Sequence, residues 1–243
     1  RDTYIRPRVF RDGNFALGCV MTLSVGVLTF ATIPLTSVMI QHSLGYNAMQ
    51  TGMISLPRSI GTLIAMLSIA RFIGRVDARV FLIGGLLLNG LGLYMLAMIP
   101  PDVDRDHLLL AGLFQGVGSG MIFPPLSTLV FATLPPMLRN EGAALFALTR
   151  NMGTSLGISV LQSETIRNTG FVQARLAEGL RPDNPLLQWR MPDMDFTSAT
   201  QVAALSRQSL HQASMTAYVG SYWFTFVLAV AMVPVVALMR PPR

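Results

Sequence analysis

The sequence predicts an all-α, polytopic membrane protein built as a bundle of six transmembrane helices. Three observations support this fold class. Six apolar stretches in the 243-residue chain are each long enough to cross a hydrocarbon layer of about 30 Å. Hydrophobic residues make up 51% of the chain and charged residues only 12%, with a mean hydropathy of +0.51. The arginines gather at the ends of the apolar stretches, as residues that set membrane topology do.

Runs of this length and uniform hydrophobicity can cross a bilayer only as helices. We predict helices over residues 14–40, 47–70, 79–99, 106–133, 141–166 and 212–239. The second helix starts with Asn47 and Gln50, which have the spacing of a capping box. Around these helices, 1–13 is a cytosolic lead-in, 14–243 is the bundle, and 167–211 is a long extracytoplasmic loop. Helices five and six are expected to extend into that loop.

The distribution of arginine assigns the orientation of the bundle. Short segments on the N-terminal side carry many arginines, whereas the short loops on the opposite side carry only Arg105. The positive-inside rule therefore predicts that both termini are cytosolic. The net charge of +6 does not indicate a nucleic-acid partner, because the arginines do not form one basic face.

Catalysis is not expected from this sequence. It contains no nucleophile elbow, no phosphate-binding loop and no pair of carboxylates within the apolar stretches. Cys19 is the only cysteine, and the histidines are distributed over separate loops. We therefore expect neither an enzyme nor a cofactor or metal site.

Two arginines inside the apolar stretches are the strongest functional candidates. Arg58 lies near the middle of the second helix, where a charge must face protein or water. It either has a functional role, as a contact for substrate or as a partner that tunes an acidic group elsewhere, or acts structurally, through carbonyls freed near Pro57 or a carboxylate that holds helices together. Arg150 lies nearer the cytosolic end of the fifth helix and is expected at a gate or as a structural charge that snorkels to the interface.

Polar residues are unevenly shared among the helices, which predicts a wet cavity lined by the first, second, fourth and fifth. The third helix has only Asn89 and is expected to face lipid. Besides Arg58, the candidates for the cavity wall are Thr32, Thr36, Gln115, Phe123 and Asn151. A buried primary amide such as that of Gln115 usually forms hydrogen bonds, because it has two N–H donors and an acceptor oxygen. For the threonines the alternative is a bond to their own helix backbone, and for Phe123 it is packing.

Several segments together resemble the drug:proton antiporter family with fourteen transmembrane segments, within the major facilitator superfamily. The matching segments are 10–15, 44–52, Leu56-Pro57-Arg58, Phe114-Gln115-Gly116, Pro124-Pro125-Leu126-Ser127-Thr128, 150–157, and Gln212-Ala213 with Ala217-Tyr218. Each segment alone is weak, but their order and spacing cover nearly the whole chain. The family's G-x-x-x-D-R pattern in the cytosolic loop is represented here only by Arg75, so that arginine is expected at a gate or as a structural charge.

The resemblance implies that the chain is the C-terminal half of a major facilitator fold, a 3+3 inverted repeat whose N-terminal half is missing. It implies efflux of amphipathic drugs or toxic compounds across the bacterial inner membrane, coupled to protons. The expected partners are the lipid bilayer, the substrate, protons and the missing half. The alternatives are a major facilitator carrier of a defined metabolite and an inactive truncated membrane remnant.

Overall fold

The computed structural model describes residues 9–10, 12–72, 75–99, 104–179 and 198–239. Nearly all of these residues lie in six long helices, which confirms the all-α fold class. The helices are α1 (Gly13–Ser43), α2 (Ala48–Ala70), α3 (Ala78–Ala97), α4 (Arg105–Phe131), α5 (Arg139–Gly179) and α6 (Ala199–Leu238). Their order agrees with the sequence prediction, and so do their approximate bounds except at the end of α5 and the start of α6, which lie outside the predicted 141–166 and 212–239.

Five of these six helices, all except α5, are long and apolar enough to cross a membrane. The expectation of six comparably apolar stretches is therefore corrected at α5. This helix has ample length, at 41 residues, but Arg150, Asn151 and a polar C-terminal part lower its hydropathy. Its place in the bundle comes from packing, because it lies against α1 and α6.

Helix occupies both ends of the 167–211 segment. Helix α5 continues to Gly179, and α6 begins at Ala199, as the predicted extensions require. Ser198 stands at the N-cap of α6, but its hydroxyl bonds to that of Thr200 instead of to a helix amide. Residues 180–197, like 1–8 and 11 of the predicted lead-in, lie outside the described residues.

The start of α2 is fixed by the predicted capping box. The side chain of Asn47 accepts a hydrogen bond from the Gln50 amide at 2.8 Å, and the Gln50 side chain accepts one from the Asn47 amide at 3.0 Å. Two donors that the first helical turn leaves unpaired are thereby satisfied. The capping box is confirmed.

Helix α4 lies between α2 and α3 and approaches both closely through glycines. Gly116 packs directly on the backbone of Arg58, and Gly118 packs on the backbone of Asn89. In α5, Gly153 packs on the backbone of Leu23, and Gly157 packs on Val27 of the same helix, α1. Small residues at such contacts let helix backbones meet where lipid provides no hydrophobic driving force.

Candidate functional site

A cavity of about 460 Å³ opens between α1, α2 and α4, with one residue, Leu96, from α3. Its wall is partly polar and partly apolar. The polar lining residues are Thr29, Thr36, Ser55, Arg58, Ser59, Thr62, Gln115 and Ser119, and the apolar ones include Phe30, Ile33, Ile54, Leu108 and Phe123. Cavities of this size and mixed lining are typical of small-molecule sites. Arg58 is the only charged side chain among the described residues that line it.

Arg58 reaches across the cavity wall from α2 to α1. Its Nη2 donates to the backbone carbonyl of Thr29 at 2.6 Å and to the hydroxyl of Thr32 at 3.3 Å. The carbonyls predicted near Pro57 are therefore not its partners, and no carboxylate pairs with it in the described part of the chain. The guanidinium is held from one side by α1, which fixes its plane.

The acceptor on α1 lies in an irregular part of that helix. Residues Gly26–Ala31 form a π-helical turn, and the α-helical segment Thr32–Val38, which contains Pro34, follows it. Proline has no N–H, so in this α-helical segment the carbonyl four residues back, that of Phe30, has no amide donor. The neighbouring carbonyl of Thr29 accepts from Arg58 and, at 3.3 Å, from the Thr32 hydroxyl.

Gln115 lies at the middle of α4 and is only 1% exposed. Its backbone carbonyl accepts hydrogen bonds from Ser119 at 2.7 Å and from the Asn89 amide at 3.2 Å, which ties α3 to α4. Its side-chain amide nitrogen has no partner among the described residues. A buried amide without a partner costs roughly 1–3 kcal/mol, so it is a candidate to bind a ligand acceptor.

Thr36 also lines the cavity and is tied to α6. Its hydroxyl accepts a hydrogen bond from the Tyr222 hydroxyl at 3.0 Å and donates to the Thr32 carbonyl at 2.8 Å. Thr32 is fully buried behind the wall, where it accepts from Arg58. Tyr222 and Thr36 therefore connect α6 to the turn of α1 that holds the arginine.

Four of the predicted cavity residues, Arg58, Gln115, Thr36 and Phe123, meet at this cavity. Asn151 does not, because α5 contributes none of the described lining residues. It precedes Gly153 by two positions, which is about 200° around the helix, and Gly153 faces α1. Asn151 is accordingly exposed on the far side.

The two arginines predicted at gates lie away from the cavity. Arg150 is half-buried on α5, where its backbone carbonyl lies close to Gly26 of α1. Arg75 is exposed in the short connection before α3. Neither side chain has a hydrogen-bond partner within the described ranges.

The sequence reasoning missed several lining residues that helical spacing could have found. Thr29, Ile33, Thr36 and Ile40 repeat at four, three and four residues along α1, which places them on one helix face. On α4 the same rule connects Leu108 and Gly112 with Gln115. Starting from a buried polar residue and stepping by three or four would have outlined both walls.

The cavity is thus lined chiefly by α1, α2 and α4 of a helical membrane bundle. Residues 18–172 match the sequence profile of the Major Facilitator Superfamily. The chain belongs to this superfamily. As a member of it, with five strongly apolar helices among those described, the chain is a multi-pass membrane protein.

Curated superfamily members similar to this chain include three named for export or resistance. The multidrug export protein EmrB of Escherichia coli K12 is 24% identical over 238 residues, which cover 96% of this chain and 46% of EmrB. The fatty acid resistance protein FarB of Neisseria gonorrhoeae is 25% identical over 243 residues, or 96% of this chain and 47% of FarB. The cephamycin export protein CmcT of Amycolatopsis lactamdurans is 28% identical over 180 residues, or 71% and 36%. The chain spans about half the length of EmrB and FarB.

Proposed function

We propose that this chain is the C-terminal six-helix half of an exporter that moves amphipathic compounds out of a bacterial cell across the inner membrane, in exchange for protons. Both termini face the cytosol in this proposal. The observation that carries it is the cavity at Arg58 and Gln115, which combines polar groups with an apolar wall near the middle of α2 and α4.

The apolar wall supports an amphipathic substrate. The rings of Phe30 and Phe123 lie 5.5 Å apart, centre to centre, and form one flexible aromatic side of the cavity. Facing groups such as Ile54 and Leu108 are apolar as well. A ligand that placed a polar group at Arg58 would have its apolar body in contact with these side chains.

The relatives support export as the direction of transport, since EmrB and CmcT are named export proteins and FarB is named for fatty acid resistance. Proton exchange rests on the resemblance to drug:proton antiporters. The proposed mechanism is rocking of two halves about a site near the midplane. Arg150 and Arg75 would act near the cytosolic opening, as gate residues or structural charges.

Efflux from cells that lack their main drug exporters tests this function. The intact protein should lower the accumulation of several chemically unlike amphipathic dyes, and a protonophore should abolish the effect. Arg58→Ala and Gln115→Ala should each reduce efflux at equal expression. Ser155→Ala, on the exposed side of α5, is the matched control and should retain efflux.

The outcomes separate the alternatives. Unchanged efflux in both cavity variants would remove the site from the proposal. A response to a single metabolite, and to no other compound of a broad panel, would identify a metabolite carrier. Failure of the intact protein to export any compound, despite its presence in the membrane, would favour an inactive remnant.

A further inference from the structure

Among the described residues that line the cavity, one carries a permanent positive charge and none carries a negative charge. Arg58 is the only charged side chain among the described lining residues, and the partners of its guanidinium, Thr29 and Thr32, are both neutral. Arginine remains protonated in proteins. A cationic ligand would meet repulsion here, whereas an anionic ligand would gain charge-assisted hydrogen bonds in a site of low dielectric.

The geometry of the guanidinium leaves donors for such a ligand. Both hydrogen bonds to α1 come from Nη2, so Nη1 and Nε have no acceptor among the described residues. Both edges of a guanidinium that can hold two carboxylate oxygens include Nη2, which α1 occupies, so Nη1 and Nε would each donate a single charge-assisted hydrogen bond. Because α1 already fixes the plane of the guanidinium, these N–H groups are oriented before a ligand arrives.

A second group at the same cavity also requires an acceptor. The amide nitrogen of Gln115 is buried without a partner in the described structure, and it can only donate. An ammonium head group has no acceptor to offer it, but a carboxylate has several lone pairs. Arg58 and Gln115 thus favour the same ligand chemistry from two helices.

We propose that this cavity binds the carboxylate head group of an amphipathic acid at Arg58, with the apolar body against Phe30 and Phe123. The proposal rests on the proposed function and narrows its substrates to anionic amphiphiles. It assigns Arg58 the charge recognition and Gln115 a supporting hydrogen bond.

Two ligands matched in chain length but opposite in charge test the proposal. Radiolabelled decanoate and decyltrimethylammonium are measured for binding to the intact transporter in lipid nanodiscs, with binding to empty nanodiscs subtracted. The wild-type protein should bind decanoate at least tenfold more tightly than the cation. Arg58→Gln should weaken decanoate binding at least tenfold and remove the preference. Arg71→Gln, at the exposed cytosolic end of the same helix, should leave both unchanged.

The proposal is overturned if the wild-type protein prefers the cation, or if Arg58→Gln binds decanoate as tightly as the wild type. It is also overturned if Arg71→Gln has the same effect, because general surface charge would then explain the preference. Should Arg58→Gln fail to fold, Arg58→Lys keeps the charge but loses the N–H groups that the guanidinium holds in fixed directions, and it should show an intermediate loss of decanoate affinity.

A transport assay in proteoliposomes separates this proposal from the proposed function. If the protein moves no compound but prefers decanoate in a way that depends on Arg58, the export proposal is contradicted and the head-group assignment is supported. Export of compounds by a protein that prefers the cation would support export and contradict the assignment.

Discussion

Gly116→Ala should destabilise the bundle and disturb the cavity, although it adds only one methyl group. Gly116 of α4 packs on the backbone of Arg58, which is the residue that carries the cavity's charge. A Cβ added at Gly116 would lie 2.8 Å from the Arg58 Cα and 2.7 Å from its carbonyl carbon. The obstacle is backbone, which cannot move aside as the end of a flexible side chain can.

The structure gives a lower limit for the displacement. Ordinary contact at a Cβ begins at 3.4 Å, so the 2.7 Å contact with the carbonyl carbon alone requires α2 and α4 to separate by 0.7 Å, and the Arg58 carbonyl oxygen lies closer still. A gap of 0.5–1 Å forfeits roughly a quarter to a half of the dispersion energy of the contacts it opens. Overpacking in a close-packed interior costs about 1–3 kcal/mol. We expect a loss near the upper end, because α2 and α4 have one of the most extensive helix contacts in the fold.

Gly112→Ala is the matched control, one turn earlier on the same helix. There an added Cβ would lie 3.7 Å from the Arg58 Cβ and 4.0 Å from the Ile54 carbonyl, both ordinary contacts. Both variants of the intact protein are expressed as fluorescent fusions, and thermal stability is measured by size-exclusion chromatography of heated detergent extracts. Gly116→Ala should lower the apparent Tm by several degrees and Gly112→Ala should not. Equal Tm values for the two variants would refute the close-approach reasoning.

Three further variants test other contacts. Asn89→Asp should destabilise the protein by about 3 kcal/mol or more, because a buried carboxylate would face the Gln115 carbonyl. An Asn89→Leu variant whose Tm is equal to or lower than that of Asn89→Asp would contradict this. Tyr222→Phe should lower the free energy of unfolding by only about 0.6 kcal/mol. In a double-mutant cycle, Thr36→Ala should cost less free energy in the Tyr222→Phe protein than in the wild type. Asn47→Ala should cost about 1 kcal/mol through loss of the cap, measured by the same thermal assay, and Asn47→Asp should restore most of it.

Features that depend on neighbouring residues could be predicted from the sequence. The capping box at Asn47 follows from a three-residue spacing, and the close contact at Gly153 follows from a four-residue repeat of glycine. The placement of Arg58 on an inward face follows from the high free energy of a charge in lipid. Each of these inferences needs only the geometry of a helix and the fact that lipid surrounds the bundle.

Features that depend on the choice of partner could not be predicted. Nothing in the sequence near Arg58 indicates that its acceptor is the Thr29 carbonyl, because that choice depends on how another helix is placed against α2. The bond from Tyr222 to Thr36 joins residues 186 positions apart, so no local pattern reports it. The exclusion of Asn151 from the cavity likewise depends on which face of α5 meets α1.

The contacts of Arg58 bear on the roles that the sequence left open for it. A purely structural role would need a side chain that joins α2 to α1, and the two bonds from Nη2 to Thr29 and Thr32 accomplish that. Both bonds are accepted by uncharged oxygens, so they do not themselves require the full positive charge, which costs several kcal/mol in the membrane interior. The structural role therefore accounts for one nitrogen of the guanidinium and leaves both the charge and the other donors unexplained. Since those donors belong to a residue that lines a cavity, recognition of an acceptor there gives the charge a function that helix packing does not require.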